Sequence, residues 1–140
     1  MLNRLSLPLA SLALAVSASA CVIANDDATL TVVNDSDYLI YELYVAPVDT
    51  TSWGRNLLGG DYLAPGEEIT LGVSCDYYDA RLIDEDGVEC RVYDLDLCLN
   101  DAVWEIRNNT CAVFGVNRQG EVVTKQGQIE GTHAEQPAAN

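Results

Sequence analysis

Four cysteines at 75, 90, 98 and 111 constrain this chain most, because they lie in segments that alternate apolar and polar residues. Tyr78–Asp84 and Val88–Asp94 flank Glu85-Asp86-Gly87. A three-residue hairpin loop with glycine at the left-handed position sets Asp84 opposite Val88. Leu82 then faces Cys90 and Ala80 faces Val92, while Arg81 and Arg91 point outward together. A two-residue loop would put Leu82 against Arg91 and spoil the burial pattern. In either register Cys75 lies within one residue of Cys98 across the ladder, close enough to join after a small bulge. Cys75–Cys98 is therefore the expected first bridge, leaving Cys90–Cys111 as the second. Four cysteines allow three connectivities, and this choice rests on register alone.

The same alternation runs through most of the chain. Ala28–Asn34 places Leu30 and Val32 on one face, and Asn34-Asp35-Ser36-Asp37 is a turn cluster whose side chains can bond their own backbone. Tyr38–Val45 puts Leu39, Tyr41, Leu43 and Val45 on one face and Tyr38, Ile40, Glu42 and Tyr44 on the other, until Pro47 ends it. A four-residue turn between these two segments predicts an antiparallel hairpin. Residues 49–60 show no clear period and read as an ordered loop, with at most one helical turn. Beyond the Pro65-Gly66 turn, Glu67–Val73 reads as a strand with Ile69, Leu71 and Val73 inward. Ala102–Arg107 covers Trp104 and Ile106, and Cys111–Asn117 pairs with Glu121–Lys125 about Arg118-Gln119-Gly120. About eight short strands without a helical period define an all-β chain. The expected architecture is a disulfide-braced antiparallel β-sandwich over residues 28–125, with a small β-barrel as the alternative. Residues 126–140 are polar, with Gly127, Gly131 and Pro137, and are expected to form a disordered tail.

At the other end, Arg4 precedes the apolar run Leu5–Val16, and Ser17-Ala18-Ser19-Ala20 leads to Cys21. The run holds 12 residues and Pro8, short of the roughly 20 that span a membrane. Residues 1–20 therefore read as an export signal to be removed. Small residues before a cysteine resemble the lipobox of bacterial lipoproteins, although its first position, usually leucine, is Ala18. Ala18-Ser19-Ala20 also fits the site of ordinary signal peptidase, and both readings cut at the same bond. Cysteine parity separates them. With Cys21 set aside for lipid, the other four make the even set that an oxidising compartment should hold. Residues 21–27 become a tether reaching only ~20–25 Å. By resemblance to enterobacterial lipoproteins, Val22 after the cysteine favours the outer over the inner membrane.

Charge narrows the partners. The sequence holds 7 basic and 22 acidic residues, a formal −15. Residues 1–20 contain one base and no acid, so residues 21–140 carry −16. Nucleic acid and anionic head groups would be repelled. The acids are scattered, which suits solubility better than a focused site.

Catalytic and metal-binding patterns are weak. The single histidine, His133, falls in the expected tail, so no Ser-His-Asp or Cys-His arrangement can be assembled. Cysteine spacings of 15, 8 and 13 lack the close pair of a zinc site. Asp84-Glu85-Asp86-Gly87 opens like a calcium loop, but position 12 from Asp84 is Leu95, so it reads as an acidic hairpin turn. Asp49-Thr50-Thr51 reads as a turn. A glycosidase needs two carboxylates ~5–10 Å apart in a cleft, which a small domain seldom offers. No catalytic residue, metal or cofactor is expected. Trp53 with Gly54 and Arg55 is the candidate binding loop, since loops carry function more often than cores. Tyr38, Tyr41 and Tyr44 could form a contact face or cover the sheet edges. Asn34-Asp35-Ser36 and Asn108-Asn109-Thr110 match glycosylation sequons that a bacterial lipoprotein would leave bare.

Several spaced motifs between residues 29 and 107 belong together. They run from Asn34-Asp35-Ser36 and Ile40–Pro47, through Trp53-Gly54, Leu57-Leu58-Gly59 and Leu63–Gly66, to Cys75–Arg81, Asp86-Gly87 and Leu97-Cys98. In these the chain resembles a family of small exported bacterial β domains with no established activity. The resemblance implies a β-sandwich-like domain, a Cys75–Cys98 pairing and no catalytic residues. Cys90, Cys111 and the last hairpin look like additions to it. The expected function is a lipid-anchored, non-enzymatic binding or structural module of the cell envelope. Its partners would be the membrane, through the lipid, and an envelope protein or glycan. The alternatives are a calcium-dependent adhesion module and a small carboxylate-based hydrolase.

Overall fold

A computed structural model describes residues 28–98, 101–116 and 120–133. The export signal, Cys21, the tether and residues 134–140 lie outside the described residues. Among the described residues nine strands follow in order: β1 Ala28–Asn34, β2 Ile40–Pro47, β3 Glu68–Val73, β4 Tyr77–Asp84, β5 Glu89–Asp96, β6 Ala102–Ile106, β7 Cys111–Val116, β8 Val122–Gln126 and β9 Gln128–Glu130. They form a five-stranded sheet ordered β3-β1-β6-β7-β8 and a four-stranded sheet ordered β2-β4-β5-β9. All pairings are antiparallel except β1 with β6. Two open sheets enclose one core, so the chain is a sandwich rather than a barrel. Leu30, Val32 and Trp104 meet Leu43, Leu82 and Val92 across it.

The β4–β5 hairpin has the register that its loop requires. Leu82 faces Cys90, Ala80 faces Val92 and Arg81 faces Arg91. The Asp84 amide donates to the Val88 carbonyl over 3.0 Å, and Gly87 adopts φ +77°. Register shifts by one between Tyr78 and Ala80, which brings Tyr77 opposite Asp96. At that bulge Asp94 takes a positive φ of 54°, and its amide donates to Asp79 Oδ1 over 3.0 Å. The same ladder continued by two residues aligns Cys75 with Cys98, and these are bonded. Cys90 of β5 and Cys111 of β7 form the second bridge, which ties the two sheets through the core.

Three expectations are corrected. β1 and β2 are not a hairpin: β1 pairs with β3 and β6, and β2 pairs with β4 in the other sheet. The turn cluster is instead a corner, pinned by Asn34, whose side chain is fully buried. Asn34 Nδ2 donates to the carbonyls of Tyr38 and Leu63, and Oδ1 accepts from Ser36 N and Oγ. That leaves this sequon nitrogen no room for a glycan. Second, Leu43 and Val45 face the core as expected, but Ile40 joins them there, and Ala46 is buried on the outer face beside Trp53. A bulge between Ile40 and Glu42 moves Ile40 to the core side. Third, the expected tail from residue 126 is ordered as far as His133. β8 runs to Gln126, and β9 adds an edge to β5, with Cys90 opposite Ile129.

The exposed edge of β2 is closed by its own loop. Leu43 N donates to Asn56 Oδ1, Asn56 Nδ2 donates to the Tyr41 carbonyl, and Leu57 N donates to the Leu43 carbonyl. Ile40 and Leu63 exchange backbone bonds further along. An open strand edge invites pairing with another chain, and here an asparagine side chain stands in for the missing neighbour. This also lays residues 49–56 against the four-stranded sheet.

Candidate functional site

The outer face of the four-stranded sheet gathers the polar and aromatic chemistry. Opposed positions build two rows across it, Tyr44–Arg81–Arg91–Gln128 and Glu42–Ile83–Glu89–Glu130. Cross-strand neighbours on one face lie close enough for side chains to meet. Arg81 donates to Glu89 twice, from Nη2 over 2.6 Å and from Nε over 3.3 Å. Arg91 donates to Glu89 Oε2, the oxygen that Arg81 Nε also reaches, over 2.5 Å and to Glu130 over 3.5 Å. The Arg81 hydrogen bonds hold the Glu89 carboxyl below its ordinary range, with Arg91 adding to them and desolvation opposing. The Arg81 guanidinium is raised mainly by Glu89, and that of Arg91 by Tyr93 first and Glu89 second. The Tyr44 phenol donates to Glu42 over 2.6 Å, and this bond raises it.

Trp53 comes down onto this ladder. The Arg81 guanidinium lies 5.9 Å from the Trp53 ring centroid and 5.7 Å from that of Tyr44, within cation–π range. Beside it opens a cleft of about 180 Å³ lined by Ala46, Pro47, Thr50, Thr51, Ser52, Trp53 and Asp79. Of the expected binding loop, Trp53 is therefore half-buried on the sheet, while Gly54 and Arg55 are exposed. Gly54 has φ +75°, and its amide donates to Ser52 Oγ over 3.1 Å. Arg55 has no acidic partner among the described residues. Tyr38, Tyr41 and Tyr44 do not share one face. Tyr38 stacks on His133 at 3.6 Å, Tyr41 meets Tyr62 edge-on at 6.2 Å, and Tyr44 joins Arg81.

His133 is the position that residue patterns missed, because the strand bringing it back is only three residues long. Its Nε2 donates to Asp84 Oδ2. Asp84 Oδ1 meanwhile accepts the Asp86 and Val88 amides over 2.9 and 3.0 Å. Both of its oxygens thus serve the hairpin turn and the returning strand. Among the described residues no hydroxyl or thiol bonds to His133, and no three metal-ligating side chains converge. A second cleft, about 210 Å³ and mostly apolar, opens between β5 and β8. It lies over Leu95, Leu97 and Val113, and Lys125 Nζ donates to the Asp94 carbonyl at its rim. It is smaller than the ~300 Å³ at which ligand pockets begin.

These features define a small disulfide-braced sandwich with one polar-aromatic outer face. Compared with known proteins, the chain matches no family model, no curated protein and no solved structure.

Proposed function

We propose that the chain is a lipid-anchored, non-catalytic binding or structural module of the bacterial cell envelope. An acylated Cys21 holds it, on the outer rather than the inner membrane. The observation that carries this reading is the pairing of sulfur. Cys75 with Cys98 and Cys90 with Cys111 account for every other cysteine in the sequence. Cys21 is left without a disulfide partner at the position where an apolar leader and small residues end. Two bridges also suit an oxidising compartment. The face of Trp53, Tyr44 and Arg81 is the contact surface assigned to an envelope protein or glycan, because it combines a loop, aromatic rings and a cleft. The resemblance to small exported β domains agrees with this reading. Replacing Cys21 by serine should move the protein from the membrane fraction to the soluble fraction with both bridges intact. Retention of Cys21→Ser in the membrane fraction would contradict the reading.

A further inference from the structure

The two outer faces of the sandwich differ in their central rows. Across the five-stranded sheet, Thr70, Thr31, Val103, Phe114 and Thr124 oppose one another in a single row that contains no ionisable group. The next row toward the start of β1 holds Gly72 and Thr29, then Asp101 bonded to Thr29, then Val116 opposite Val122. Val103, Phe114, Val116 and Val122 are 41%, 38%, 48% and 74% exposed, and register makes them neighbours. The flanking rows carry acids on this same face, Glu68 and Glu105 opposite Val33 and Asp101 beside Thr29, whose N and Oγ1 donate to its carboxylate. In a chain with 22 acids, a five-strand row without charge is a local exception. The opposite face is crowded with Glu42, Asp79, Arg81, Glu89, Arg91 and Glu130.

The chain enters the domain on this same sheet. Ala28 begins β1 at the end where Val73, Val116 and Val122 lie. Between Cys21 and Ala28 the tether can reach no more than ~25 Å. If Cys21 sits in a bilayer, an acidic domain is therefore held within a few nanometres of the head groups. The Arg81–Glu89–Arg91 face is the more strongly hydrated, whereas the central Thr/Val/Phe row loses little on contact and buries apolar side chains.

We propose that the outer face of the five-stranded sheet, centred on Val103, Phe114, Val116 and Val122, rests on the lipid surface to which the chain is anchored. The opposite face, with Trp53 and Arg81, then points away from the membrane toward a partner. The inference rests on acylation of Cys21, and the test separates the two. The mature lipidated protein is reconstituted in phosphatidylcholine vesicles with and without brominated acyl chains. Phe114→Trp and Val122→Trp report on the proposed lipid face, and Tyr93→Trp on the other. Each is checked by mass for both disulfides. An aromatic ring lying in the bilayer interface should lose roughly half its added emission to the brominated lipid. The expected result is that loss for Phe114→Trp or Val122→Trp, with Tyr93→Trp quenched no more than the parent. If the parent floats with vesicles but neither probe on the five-stranded sheet is quenched, the orientation is wrong and the anchor stands. Quenching of Tyr93→Trp instead would also overturn the orientation. Concentration-dependent photo-cross-linking between copies through a benzophenone side chain placed at position 114, in place of quenching, assigns the face to a second copy and overturns it as well. A parent that fails to float removes both the anchor and the inference.

Discussion

Glu89 stands between two guanidinium groups that the hairpin register forces together. Arg81 and Arg91 are directly opposed, and their side chains are 22% and 27% exposed against 18% for Glu89. Without the carboxylate, two like charges would share one partly covered position, which is unfavourable. The folded pKa of Glu89 lies below its ordinary 4.5, chiefly through the Arg81 hydrogen bonds. A depressed carboxyl stabilises the fold fully above the unfolded value and loses that contribution as pH falls through the folded one. Glu89→Gln should therefore cost about 1–2 kcal/mol at pH 7. The difference from the parent should shrink steadily below pH 4.5, as measured by urea midpoints across pH. A pH-independent difference would show that Glu89 acts through packing alone. The outward pairing of the two arginines was legible from loop length, because side-chain direction alternates strictly along a strand. The Trp53 contact with Arg81 was not, since it depends on how a loop without period folds back over the sheet.

At the level of elements, the corner between β8 and β9 explains why residues from 126 onward read as a tail. Gly127 N donates to the Cys111 carbonyl over 2.7 Å as the chain crosses from one sheet to the other. A Cβ built there would stand 2.7 Å from Cys90 Sγ and closer still to Cys111 Sγ. Only glycine lets the chain pass over the inter-sheet bridge. Gly127→Ala should lower stability by about 1–3 kcal/mol, since it overfills a packed junction. Gly115→Ala, whose nearest neighbour would be the Ala102 Cβ at 3.7 Å, should change it far less. Equal denaturant midpoints for the two variants would refute the steric account. In sequence, Gly127 looks like any loop glycine, because the sulfur it must clear comes from residues 16 and 37 positions earlier. β9 is likewise invisible, because three residues offer no period to detect. The β1–β2 hairpin failed for a related reason. Asn34-Asp35-Ser36-Asp37 has turn chemistry, but the buried amide bonds of Asn34 to Tyr38 and Leu63 use that turn to change sheets. Strand existence and the β4–β5 register were local properties and could be read. The assignment of strands to sheets was non-local.

For the molecule as a whole, one division of sulfur organises the account. Four cysteines staple a two-sheet sandwich, one bridge at the β4–β5 ladder and one between the sheets. The fifth, at position 21, is the one we propose carries lipid. In the proposed orientation the Thr/Val/Phe face turns to the lipid and the polar-aromatic face away from it. The most direct test is the intact mass of the protein taken from the membrane fraction, before and after reduction under denaturing conditions. The account predicts a chain beginning at Cys21, heavier than the bare polypeptide by its acyl groups, that takes up four alkylating groups only after reduction. A soluble chain of bare polypeptide mass, alkylated at Cys75, Cys90, Cys98 and Cys111 without reductant, would contradict it.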